Sequence, residues 1–209
     1  MSLRERLFEE LGVSVTCRLV RSSDANLLTA EESDSLDGSV FSVLCRAAAA
    51  RIAARELLSD AGFPGWSMPR QRGNPPRWPQ GLVGSLSHTD LYAAAALARC
   101  ADFSGVGIDI EPAEPLPAEL VDSVIAADET RPSGPADLVG RVLFCAKEAS
   151  YKAVHPLDGR FLDYHDIVID LNSGTAQTSY GRRASVTVHV DHRIIVLARV
   201  QADTVKIDS

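Results

Sequence analysis

Ser104-Gly-Val-Gly-Ile-Asp-Ile-Glu-Pro112 is the stretch on which the fold reading turns. Val106, Ile108 and Ile110 alternate with Gly107, Asp109 and Glu111, the period of a β-strand. Asp109 and Glu111 therefore share a face, their Cα atoms about 6.6 Å apart at the usual strand rise. Two carboxylates on one face repel each other unless a positive charge sits between them, and oxygen ligands suit a hard divalent cation such as magnesium. A strand with a solvated acidic face ending at Pro112 accounts for the same letters, and so short a motif recurs by accident. Two further stretches decide between the readings.

The surrounding chain sets limits first. It has 209 residues, 45% hydrophobic and 23% charged, ordinary for a globular protein and enough for one large domain or two small ones packed together. A net charge of −7 argues against broad nucleic-acid binding, which needs a basic footprint. Cys17, Cys45, Cys100 and Cys145 lie far apart and form no C-x-x-C, which fits reduced thiols in a cytoplasm rather than a zinc site or a disulfide framework. The first eleven residues mix both charges, unlike a signal peptide, and no apolar run approaches the ~20 residues of a membrane span.

Read in order, Leu3, Leu7 and Leu11 mark a short amphipathic helix over 2–11, and Val13 to Leu19 alternate as a strand. Thr29-Ala-Glu-Glu32 is a capping box opening a brief helix. Residues 39–61 predict a long alanine-rich helix with Leu44, Ala48, Arg51 and Arg55 near one face, closed by Gly62 and Pro64. Residues 62–84 read as a loop, with Pro64, Pro69, Pro75, Pro76 and Pro79 and the basic Arg70, Arg72 and Arg77. Gly84 to Asp90 read as a turn, Leu91 to Ala98 as a strand, and that strand with the Asp109 strand as a hairpin. A helix from Pro115–Pro117 to about Ala127, a loop over 128–136 and a helix from Leu138 to Val154, capped by Asp137 and ended before Pro156, follow. Antiparallel strands over 166–171, 184–190 and 193–200, the last two turning at Asp191-His192, complete an α+β pattern.

The second informative stretch is Gly84-Ser-Leu-Ser-His88, two hydroxyls and an imidazole; it is neither a phosphate-binding Walker loop nor a nucleophile elbow. The third is Phe144-Cys-Ala-Lys-Glu-Ala-Ser-Tyr-Lys-Ala153. On a helix Glu148 and Lys152 share a face, whether as a surface ion pair or as a third carboxylate and a cation aimed at Asp109 and Glu111. Phe144 and Tyr151 line up as core anchors, and Lys147 points elsewhere around the axis.

These three pieces in this order, with Trp78-Pro79 ahead of Gly84, resemble the phosphopantetheinyl transferases, above all the surfactin- and enterobactin-synthetase-associated class in its actinobacterial form. The resemblance implies an enzyme of the holo-[acyl-carrier-protein] synthase type, which moves the phosphopantetheine arm of coenzyme A to a serine of an acidic acyl or peptidyl carrier protein. It implies magnesium, or manganese, on Asp109, Glu111 and Glu148, with Glu148 also activating the carrier serine. It implies phosphate contacts from Arg51, Arg72, Ser87, His88, Lys147 and Lys152, the last also serving the leaving group. It implies two pseudo-symmetric α/β halves, 1–105 and 106–209, each an antiparallel sheet packed on a long helix with the ligand cleft between them, in a cytoplasmic monomer that touches neither nucleic acid nor membrane. The chain departs from the family at Val43-Leu-Cys-Arg46, where a basic pair and a phenylalanine are usual, and at Val139-Gly140, where tryptophan and an acid are usual. A non-catalytic homologue that binds coenzyme A or a carrier, and an unrelated metal-dependent phosphoesterase, are the alternatives.

Overall fold

The alternation of residues 106–110 builds a strand buried on both sides. The computed structural model describes residues 11–71, 74–130 and 137–202. The elements run β1 (Ser14–Leu19), a 3-10 turn (Ser22–Leu27), α1 (Ala30–Ser35), α2 (Phe41–Asp60), β2 (Leu82–His88), β3 (Tyr92–Arg99), β4 (Phe103–Pro112) and α3 (Ala118–Val124). There follow α4 (Val139–Asp158), a 3-10 turn (Tyr164–Asp166), β5 (Ile167–Asp170), β6 (Thr175–Thr178), β7 (Arg183–Val190) and β8 (Arg193–Gln201). The strands form two antiparallel sheets, ordered β1-β3-β2 and β4-β8-β7-β6-β5.

Side-chain alternation sorts the layers. In β3, Ala94, Ala96 and Ala98 face Val106, Ile108 and Ile110 of β4 and Ile195 and Leu197 of β8. The intervening Ala93, Ala95 and Leu97 face α2 through Ala49, Ala50, Ala53, Ala54, Leu57 and Leu58. In β8, Ile194, Val196, Ala198 and Val200 turn the other way, toward Leu143, Ala146, Ala149 and Ala153 of α4. The order of layers is thus α2, first sheet, second sheet, α4. The run of alanines in β3 is what lets a helix and a second sheet close on its two faces at once.

The expected hairpin of β3 with β4 does not form. Both edges of β3 are taken, by β1 and by β2, with Cys17 and Ser87 both opposite Ala94, so β4 passes into the other sheet and pairs with β8. The expected turn at Gly84–His88 is strand β2, which pairs with β3 along its whole length. The 62–84 loop therefore ends at Gly81, and Gly81 carries a positive φ. It is clamped by the buried Glu32 of the capping box, which accepts from the Thr29 and Met68 backbone N–H groups and from Arg55. The 115–127 helix is shorter than expected, and the Thr175–Thr178 strand, with no large apolar residue to announce it, was not foreseen. The 2–11 helix, apart from Leu11, and residues 131–136 of the 128–136 loop lie outside the described residues.

Helix α4 runs through Pro156 instead of stopping before it. The proline falls in the last turn, where a missing N–H costs a single helical bond. Gly159, with φ 62°, then closes the helix by donating to the His155 carbonyl, and Asp158 is gripped by Arg182 and Tyr180. At the other end Asp137 accepts from the Val139 N–H at 2.8 Å.

Contact between α4 and β4 is backbone on backbone. A Cβ at Gly107 would lie 1.9 Å from the Ala149 carbonyl oxygen, and one at Gly105 would lie 2.2 Å from that of Ala153. A helix carbonyl has no rotamer by which to retreat. Gly107→Ala is therefore expected to cost about 1–3 kcal/mol through overpacking, read as a lowered midpoint in thermal or denaturant unfolding.

Candidate active site

The residues along one face of β4 meet α4 in a regular ladder. Gly105 faces Ala153 and Gly107 faces Ala149. Asp109 then stands beside Cys145, and Glu111 accepts from the Arg141 guanidinium. Two residues of strand advance about 6.6 Å and four of helix about 6.0 Å, so the two series stay in step. The glycines bring the elements together, and the acids follow where the gap is filled by polar groups.

Asp109 is nearly fully buried. Its Oδ1 accepts from Lys152 Nζ at 2.6 Å and from Ser87 Oγ at 2.7 Å. Lys152 also reaches Ser87 Oγ at 3.2 Å and the Ile108 carbonyl at 3.3 Å. Asp109 Oδ2 is buried and has no hydrogen-bond partner among the described residues. Glu111 accepts from Arg141 Nη1 at 3.0 Å, while Arg141 also donates to the carbonyls of Glu114 and Pro115. Burial, and then the charge of Asp109, push the Glu111 carboxyl up to about 7 against the opposing pull of Arg141 and Lys152. An orphaned buried oxygen beside a carboxyl held back from ionising is an arrangement that fits a divalent cation.

Because the folded value of Glu111 lies above its ordinary 4.5, the folded chain keeps this proton where the unfolded chain gives it up. That contribution favours the fold below about pH 4.5 and is lost as the pH rises through about 7. Relative to Glu111→Gln, the wild-type chain is therefore expected to lose thermal stability between those pH values, and parallel melting curves for the pair would contradict the assignment.

His88 ends β2. Loss of hydration, and then the charges of Arg46, Lys152 and Arg51, hold its imidazole below the usual histidine range. Arg46 is tied to Asp90. Beside Lys152 opens a cavity of about 390 Å³ bordered by Arg70, Asn74, Ser85, Tyr151, Lys152 and Phe161. Its wall carries an aromatic run, with His155 at 5.0 Å from Tyr151 and 5.3 Å from Phe161 between ring centroids.

Comparison with known proteins bears on this geometry. The profile of the 4'-phosphopantetheinyl transferase N-terminal domain matches residues 46–98, and that of the 4'-phosphopantetheinyl transferase superfamily matches residues 105–202. The chain belongs to this superfamily. It is 39% identical to the 4'-phosphopantetheinyl transferase Npt of Nocardia iowensis over 63% of this chain and 62% of that protein. It is 37% identical to the 4'-phosphopantetheinyl transferase Svp of Streptomyces mobaraensis over 72% and 64%. Against 4'-phosphopantetheinyl transferase PptT of Mycobacterium tuberculosis the figures are 39% over 56% and 53%. In each case the match spans less than two thirds of the relative's own length.

Within this superfamily chain the expected site residues separate into groups. Ser87, Asp109 and Lys152 meet, and Glu111 lies beside them. Glu148 does not complete a three-carboxylate set: its Oε1 accepts from the Tyr164 hydroxyl at 2.8 Å, and among the described residues no three His, Cys, Asp or Glu side chains are gathered for an ion. Lys147, expected on a phosphate, has no exposed side-chain surface; its Nζ lies 2.7 Å from Glu129 and 2.9 Å from the Tyr164 carbonyl. Burial explains the correction, since Lys147 sits on the core side of α4 while Lys152 sits on its rim. Arg51 is mostly buried and gives Nε to the Met68 carbonyl and Nη1 to that of Ala47, holding the 62–81 loop. Arg72 lies outside the described residues. Tyr164, Cys145 and Glu129 were not among the expected site residues. Arg141 could have been found from its place two helical turns before Glu148; Glu129 sits in a loop that carries no periodic signal.

Proposed function

We propose that this chain transfers the 4'-phosphopantetheine arm of coenzyme A to a serine of an acyl or peptidyl carrier protein. What carries the reading is the meeting of three motif-bearing elements at one point: Ser87 of β2 and Lys152 of α4 both bond to Asp109 of β4. Membership of the superfamily supports it.

The reaction joins the carrier serine oxygen to the phosphorus that bears pantetheine. The phosphoanhydride bond to the second phosphorus breaks, and adenosine 3',5'-bisphosphate leaves. Serine is a poor nucleophile at neutral pH, so Glu148 takes its proton. Lys152, on the lip of the cavity, neutralises the leaving phosphate oxygen or protonates it. Ser87 and His88, with the charges of Arg46 and Arg51 near His88, bind phosphate oxygens. Magnesium, or manganese, would be held by Asp109, Glu111 and Glu148, the last keeping its bond to Tyr164. When bound, the ion neutralises the diphosphate. Phosphoryl transfer asks for this neutralisation and alignment more than for covalent help. The cavity supports a ligand seat between two halves, 1–105 and 106–209, related by a pseudo-two-fold. The cytoplasm, a monomer and an acidic carrier complete the reading, and no described helix is long and apolar enough to cross a membrane.

Incubation with coenzyme A, Mg²⁺ and an apo carrier protein, followed by mass measurement of the carrier, tests it. A gain of one phosphopantetheine is expected. Coenzyme A binding without any gain would mark a non-catalytic homologue, and release of inorganic phosphate would mark a phosphoesterase.

A further inference from the structure

We propose that Tyr164 is a positioning residue for Glu148: its phenol holds the Glu148 carboxylate, and a buried relay through Lys147 and Glu129 holds Tyr164. The inference rests on the transfer reading, in which Glu148 takes the serine proton.

Tyr164 stands on another element from Glu148, the 3-10 turn that leads into β5, and it is fixed from four directions. Its backbone N–H donates to Asp163 Oδ1 at 2.7 Å. Its carbonyl accepts from Lys147 Nζ at 2.9 Å. Its ring lies 5.5 Å from that of Phe144. Its hydroxyl donates to Glu148 Oε1 at 2.8 Å. The Lys147 ammonium is anchored in turn by Glu129, whose oxygens also accept the backbone N–H groups of Ala126 and Ile169. Each link from Glu129 to Lys147 is closed to solvent. The relay therefore ties the α3–α4 connection, helix α4 and the start of β5 to one phenol.

A glutamate on a helix rim has three freely rotating bonds, and a proton acceptor works only when held close to its productive geometry. A single bond from an immobile phenol leaves Oε1 occupied and Oε2 free to face the reaction. Adjacent positions on α4 thus divide the work, Lys147 turning inward to fix the phenol that Glu148 leans on.

Tyr164→Phe deletes one oxygen and retains the ring and the carbonyl that Lys147 uses. With coenzyme A, Mg²⁺ and an apo acyl carrier protein, kcat is expected to fall roughly tenfold, the scale of one hydrogen bond to a charged group, while KM for coenzyme A stays within about twofold. In a Glu148→Gln background the same change should cost less than about twofold, because the two residues act as a unit. An unchanged kcat, or an equal loss in both backgrounds, overturns the proposal. NMR relaxation of labelled Glu148 side-chain methylenes gives a second reading without turnover: Tyr164→Phe should make them more mobile, and unchanged order overturns the proposal too. If the wild-type chain transfers nothing, the transfer reading fails, and the relaxation arm still decides whether Tyr164 holds Glu148.

Discussion

Glu148→Gln is expected to slow carrier modification by roughly 10²–10⁴-fold, the range for loss of a positioned acid–base group, with the fold and coenzyme A affinity intact. The substitution keeps the size of the side chain and keeps a carbonyl oxygen for the Tyr164 hydroxyl, 2.8 Å away. It removes the charge that the proposed mechanism uses to accept the serine proton and to help hold the ion. Because Lys152 is bound to Asp109 rather than to Glu148, losing the Glu148 charge strands no cation among the described residues. The effect should therefore appear in turnover measured by carrier mass, and not in the melting temperature. Turnover equal to wild type would remove Glu148 from the mechanism. A matching loss of stability would mean that the carboxylate serves the packing of α4 rather than the chemistry.

The strand at 104–112 was legible because alternation is a local property: each residue's face follows from its neighbours. The α2 and α4 helices and the β7–β8 turn at Asp191-His192 were legible for the same reason. What sequence reasoning missed depends on who stands opposite. Nothing within Gly84–His88 says that Ala93 to Leu97 will pair with it, so its two hydroxyls read as a turn, and β3 was paired with the wrong neighbour. The fate of Lys147 was hidden in the same way. Its place in the motif matched a phosphate ligand, but its burial is set by Glu129, eighteen positions earlier in a loop without periodicity. One long-range contact was within reach. Gly105, Gly107, Asp109 and Glu111 step by two, as Ala153, Ala149, Cys145 and Arg141 step by four in reverse, and strand and helix advance by nearly equal lengths in those steps. That match, with glycines opposite alanines, points to a helix laid antiparallel on the acidic strand.

Lys147→Ala is expected to destabilise the chain by about 3–5 kcal/mol, because it strands the Glu129 charge in a place water does not reach. Among the described residues the Glu129 carboxylate would keep the N–H groups of Ala126 and Ile169, and the Tyr164 carbonyl would lose its Lys147 donor. Burial holds the Lys147 ammonium below its ordinary range despite the nearby carboxylate, which marks a charge tolerated at a cost rather than one that strengthens the core. Removing both charges should therefore do less harm than removing one. Lys147→Met with Glu129→Gln is expected to recover part of the loss, about 1–3 kcal/mol short of wild type, since a glutamine offers one acceptor oxygen where two backbone donors wait and so leaves a buried N–H unpaired. Denaturant unfolding of the two single variants and the double variant measures the cycle. The same variants separate this role from a phosphate contact. A lysine on a phosphate would be lost with little change in stability and with a fall in coenzyme A affinity that fades at high salt. A lysine that anchors Tyr164 would be lost with a large fall in stability, and the double variant would restore the fold without restoring full turnover.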